Sequence, residues 1–193
     1  MPSPVAHILA GGVLYLAGTS GKQASRLILG ATILASIAPD FDFLPGFLIG
    51  KPSAFHHGIS HSSGFALLFG TLVFLGLRYF QYSDIASRAA LMATFAYGFH
   101  AVLDAVSVGE GAKAVPLLWP FSRHDFGINI DLFGHFHHDG FAHGIWSVIV
   151  WENLPALARE LTVMGAPLLL LLLWRSRGDR SKSVRAMQQG DKL

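Results

Sequence analysis

Apolar positions along this chain gather into five runs separated by short polar breaks, at about 4–19, 25–38, 59–80, 86–108 and 154–174. Apolar runs of this length predict helices rather than strands. A hydrocarbon core of roughly 30 Å takes about 20 helical residues. The first two runs are short for that, and fit either protein-shielded spans or half-buried helices. Ser3 is the expected N-cap of the first helix, with Pro4 at its first position. Pro39 is expected to end the second. The pattern predicts an all-α, multi-pass bundle of about five transmembrane helices over residues 1–174. It carries an outer loop region at 109–153 and a flexible basic cytoplasmic tail at 175–193. Within the loop region, residues 141–151 are apolar but too short to span, so an interfacial helix is expected there.

Composition strengthens the membrane reading. Apolar residues make up 52% of the 193 and charged residues 13%, against about 25% charged in a typical soluble domain. That charge cannot cover a water-facing surface, so lipid must cover part of it. The net charge is only +2, and six basic residues (Arg175, Arg177, Arg180, Lys182, Arg185 and Lys192) follow the last apolar run. Basic residues placed there read as a topology anchor, not as a nucleic-acid surface. With no cysteine, disulfides and thiolate metal sites are excluded. The first run lacks a basic leader and carries His7, so a retained helix is expected there rather than a cleaved signal. Trp119, Trp146 and Trp151 read as interfacial aromatics, and Gly11, Gly12 and Gly18 as close helix-packing positions.

Orientation follows from the remaining basic residues. Lys22, Arg26, Arg78, Arg88 and the tail fall on one side, which the positive-inside rule makes cytoplasmic. All ten histidines then fall at the outer side. His7 opens the first helix there, Asp40 and Asp42 follow the second, and His56, His57 and His61 lead into the third. His100 and Asp104 end the fourth; four apart, they share one helix face. Ionisable groups inside spans are costly and usually functional. Imidazole and carboxylate donors without sulfur suit zinc, manganese or iron. Asp40 and Asp42 fit joint ligation, or one ligating while the other orients a histidine. His135, His137 and His138 lie in a glycine-rich stretch and read as ordinary surface or as extra donors.

The ordered pieces PSPVAHILAGG, APDFDFLPG, FHHGISHSSGF, YGFHAVLDAVS and VPLLWPFS, spread over about residues 1–122, resemble the YdjM-type family. That family is described as membrane-bound metal-dependent hydrolases and as LexA-binding inner-membrane proteins. The resemblance implies His7, Asp40, Asp42, His56, His61, His100 and Asp104 as metal-site residues in a bacterial inner membrane. The family usually carries arginine after its first loop histidine. Here that position is His57, which loses a fixed positive charge and becomes either an extra ligand or a substrate contact. The His-x3-Asp element is also similar to that of zinc phospholipase C and P1-type nucleases, which points to phosphoesters.

Together these readings predict a metal-dependent hydrolase with its site at the outer membrane face, acting on a phosphoester such as a lipid headgroup. Zinc is the expected cofactor, manganese or iron the substitutes, in one or more ions, with Asp42 or His57 as general base. The expected partners are membrane lipid and substrate, with no nucleic acid. The alternatives are a non-enzymatic metal-binding or transport protein and a membrane scaffold or regulator.

Overall fold

The computed structural model describes residues 2–20, 25–51, 54–108, 113–128, 130, 132–134 and 151–190. The chain is all-α. The described residues contain no strand, only an isolated antiparallel bridge between Val115 and Phe126. Among the described residues seven α-helices follow one another: α1 (Pro4–Gly18), α2 (Arg26–Ile37), α3 (Phe43–Leu48), α4 (Ser63–Tyr79), α5 (Ser83–Val106), α6 (Leu154–Glu160) and α7 (Ala166–Gly190).

Local chemistry sets the boundaries. Ser3 caps α1 by accepting the Val5 N–H, and Pro4 opens the helix, as expected. Ser25 and Ser62 cap α2 and α4 in the same way. The Ser62 cap starts α4 four residues later than the apolar run begins, leaving Ile59–Ser62 in turns. Pro39 stands just past the end of α2, as expected. It ends the α-helical bonding of α2, but its fixed φ suits the start of a 3-10 turn over Ala38–Asp42. The chain therefore continues into α3, and the stretch Arg26–Gly46 becomes long and apolar enough to cross a membrane. Ser83–Val106 and Trp151–Gly178 also qualify, whereas α1 and α4 are apolar but shorter. A π-helical turn over Leu161–Gly165 joins α6 to α7. The basic segment expected to be a flexible tail continues α7 as helix as far as Gly190. The expected interfacial helix at 141–151 lies outside the described residues, apart from Trp151, which is exposed.

The helix α5 is the hub. It packs against α4 on one side and α2 on another, while α1 touches α2, α5 and α7. Small residues make these approaches possible: Ala35, Ala66, Ala93 and Ala96 form one buried cluster around Tyr97. A Cβ on Gly11 would lie 2.7 Å from Ser36 Oγ, and one on Gly18 would lie 2.5 Å from Met92 Sδ. Those two glycines are therefore close-packing positions, as the sequence suggested. Opposite this interior the outer faces are apolar, with Leu67, Leu68, Leu72, Leu169, Leu170 and Leu173 all exposed. Such a surface suits lipid, not water.

Two polar clasps fix α1. Glu160, fully buried at the end of α6, accepts hydrogen bonds from the Ser3 N–H and Ser3 Oγ. At the other end Arg175 of α7 donates to the Leu16 carbonyl. These clasps set the height of α1, and so the height of His7.

Candidate metal centre

The start of α1, the 3-10 turn after α2, the turn before α4 and the last turns of α5 meet at one end of the bundle. Four side chains from three of these segments converge. His100 Nε2 lies 3.0 Å from Asp104 Oδ2 and 3.4 Å from Asp40 Oδ1. His61 Nε2 lies 3.3 Å from Asp104 Oδ2 and 3.7 Å from Asp40 Oδ1. The two Nε2 atoms are 3.3 Å apart. Five of the six edges of this donor tetrahedron thus measure 3.0–3.7 Å. With metal–ligand bonds of roughly 2.0–2.1 Å, tetrahedral coordination separates donors by about 3.3 Å. Asp40, His61, His100 and Asp104 together can hold a metal ion.

Hydrogen bonding supports that fit. Asp104 Oδ2 is buried and makes no hydrogen bond, although two ring nitrogens stand within 3.3 Å. The contacts have the right length but lack hydrogen-bond alignment, as expected when atoms aim at a common point instead of at each other. The outer ring nitrogens are fixed. His100 Nδ1 donates to the Ser36 carbonyl at 2.8 Å. A carbonyl only accepts, so in neutral His100 the proton sits on Nδ1 and the Nε2 lone pair faces the centre. His61 Nδ1 lies 3.2 Å from Asp42 Oδ2, which also accepts from Ser60 Oγ at 2.7 Å. In neutral His61 this carboxylate–histidine pairing likewise leaves the Nε2 lone pair inward.

The remaining predicted residues surround this core. His7 Nε2 is 3.4 Å from Asp104 Oδ1, and its ring stacks on His100 at 3.7 Å between centroids. His56 Nδ1 contacts Asp42 Oδ1 at 3.0 Å, and its ring stacks on Phe43. Asp42 therefore has both oxygens occupied by His56, Ser60 and His61. That places it one layer behind the converging donors, the orienting alternative of the two weighed for the Asp40–Asp42 pair. His57 is 1% exposed, donates from Nδ1 to the Lys113 carbonyl, and leaves Nε2 without a partner. Its Nε2 is 3.9 Å from Asp104 Oδ2. His124 lies exposed beside Phe126. His135, His137, His138 and His143 lie outside the described residues.

Electrostatics separate the two histidines of the turn before α4. Burial pulls the His57 imidazole down to about 4, with Asp104 opposing and His56 and His61 reinforcing. Burial also acts to lower His61, but the carboxylates of Asp104, Asp40 and Asp42 outweigh it and hold that ring up at about 11. A bare centre thus keeps a proton on His61 to offset its carboxylates. A bound cation would supply that charge instead.

The sequence missed three contributors. The Ser36 and Lys113 carbonyls set histidine tautomers, and a backbone acceptor leaves no trace in residue type. Glu160 did leave one, as a carboxylate within the fifth apolar run.

No curated protein and no solved structure matches this chain. A family model described as YdjM inner membrane protein matches residues 1–178. That span covers every helix bearing the donors above, and the chain belongs to the YdjM inner membrane protein family.

Proposed function

We propose that this protein is a membrane-bound metal-dependent hydrolase acting on a phosphoester at the outer, periplasmic face of the inner membrane. The observation that carries the reading is the convergence of four lone-pair-bearing atoms, from Asp40, His61, His100 and Asp104, at 3.0–3.7 Å. A structural ion pair would align donor with acceptor, whereas two facing imidazole nitrogens suit a shared cation. Nitrogen and oxygen donors in near-tetrahedral separation favour zinc, with manganese or iron as substitutes.

Each residue then has a task. Asp40, His61, His100 and Asp104 hold the ion. Asp42 and the Ser36 carbonyl fix the tautomers of His61 and His100. His7 faces the second oxygen of Asp104 and stacks on His100, limiting that ring's movement. The Asp40 side chain is 21% exposed, against 2% for Asp104, and marks where solvent and substrate reach the centre. A divalent cation there would supply Lewis acidity towards a phosphoryl oxygen and lower the pKa of water towards neutrality once water or substrate takes a fifth position. Asp42 is poorly placed as general base, because both of its oxygens already accept.

The outer-face assignment rests on the basic residues Arg26, Arg78, Arg88, Arg175 and Arg177, which lie towards the opposite end of the bundle. The exposed leucines around the helices make a lipid-derived phosphoester an accessible substrate. The test is hydrolysis by purified protein in lipid nanodiscs, with zinc or manganese added, across phosphomonoester, phosphodiester and glycerophospholipid substrates. We expect metal-dependent release of product that His100→Ala abolishes. Activity insensitive to chelators, or equal in His100→Ala, would refute the reading.

A further inference from the structure

The four converging donors leave other good ligands unused. His56, His57 and His61 form a second group whose ligand atoms all lie within 4.8 Å of one another. Each has its Nδ1 beside an acceptor: Asp42 for His56 and His61, the Lys113 carbonyl for His57. Each therefore turns an Nε2 lone pair elsewhere. His61 spends its lone pair on the first group, while His56 and His57 do not. The His57 Nε2 is buried and has no hydrogen-bond partner, which is ordinarily costly. The backbone of His57 also sits at φ 58°, a left-handed conformation that L-residues adopt at a cost and that clusters at functional sites.

Coordination and charge point the same way. Four protein ligands close a tetrahedral ion, whereas a catalytic ion needs an open position. Asp40, Asp42 and Asp104 carry three negative charges, and among the described residues all their ion pairs are with histidines. One divalent cation leaves such a site net negative and repellent to a phosphoester anion. Two make it net positive. A pair of adjacent ions also clamps both the attacking and the leaving oxygen of a displacement.

We propose that the centre holds a second divalent cation, bound by His57 and His56 and adjoining the first at Asp104. The Asp104 Oδ2 atom, 3.9 Å from His57 Nε2 and hydrogen-bonded to nothing, is the carboxylate oxygen between the two groups. The inference rests on the metal-centre reading above and deepens it.

The experiment is manganese stoichiometry and electron paramagnetic resonance on the full chain in detergent, after stripping with chelator and reloading with Mn(II) alone. Wild type should saturate at about two ions per chain with a spin-coupled spectrum. His57→Asn should keep about one ion with an uncoupled spectrum. Asparagine tolerates the left-handed backbone and its amide can still donate to the Lys113 carbonyl, so the fold is spared. Saturation of wild type at one ion overturns the second site and leaves the first standing. Two coupled ions retained in His57→Asn also overturn it, by placing the pair elsewhere. No bound ion in wild type overturns this proposal and the hydrolase reading together.

Discussion

Replacing Asp42 by asparagine tests how the centre is oriented while leaving its four converging donors in place. In the native site, one Asp42 oxygen lies 3.2 Å from His61 Nδ1 and the other 3.0 Å from His56 Nδ1. Both contacts pair N–H with carboxylate. Asparagine keeps the shape but turns one acceptor into an NH2 donor. One imidazole must then flip its tautomer, moving its proton to Nε2; at His61 this removes a lone pair from the centre. Loss of such an orienting partner typically costs about 10–100-fold in metal affinity, or roughly 1.4–2.7 kcal/mol. The assay is competition of the metal-stripped protein with a fluorescent zinc chelator in detergent. Ser60→Ala removes only one hydrogen bond to the same carboxylate and should cost less. The reasoning fails if Asp42→Asn binds zinc within about threefold of wild type. It fails equally if the variant loses zinc as completely as His100→Ala, because Asp42 would then be a ligand.

Other consequences follow from the packing and the charges. Glu160→Ala leaves the Ser3 N–H and hydroxyl without their acceptor, and should lower stability in detergent by about 2–4 kcal/mol in thermal or denaturant unfolding. Gly70→Ala should destabilise by about 1–3 kcal/mol, because its Cβ would lie 1.8 Å from Thr94 Oγ1 and 3.0 Å from the Ala90 carbonyl across the α4–α5 contact. Gly76→Ala on the same helix meets nothing within 4 Å and should be neutral or slightly stabilising by the same measurement. Zinc affinity should rise at least about tenfold per pH unit between roughly pH 6 and 8. In the metal-free site His61, held up at about 11, is protonated throughout that window, so the cation must displace its proton. His57, down at about 4, is already neutral there and contributes no slope. A pH-independent affinity in the chelator competition would contradict this.

Much of the site was legible because each piece combined a helix end with an ionisable residue. The four-residue spacing of His100 and Asp104 required one helix face. Alternating topology then brought the start of α1, the end of α2 and the start of α4 to the same level. Sequence could not rank the donors within that level. Asp40 and Asp42 differ by two positions, and only the 3-10 turn after Ile37 sends one to the centre and the other behind it. Pro39 marked the end of α2 but not the continuation beyond it, since a proline that ends an α-helix can begin a tighter turn in the same direction. The His57 ring is fixed by the Lys113 carbonyl more than fifty residues away, which no local pattern encodes. Glu160 was hidden by its neighbours. It lies within a run that reads as an ordinary span, at the end of α6, and its partner Ser3 had already been assigned to capping α1.

The most direct measurement is elemental analysis of the purified wild-type protein beside Asp104→Ala, after both are loaded with zinc and freed of excess by gel filtration in detergent. The account predicts stoichiometric zinc in the wild type and loss of it in the variant, with both eluting as folded protein. Wild type eluting without zinc, or Asp104→Ala carrying as much as wild type, would contradict it.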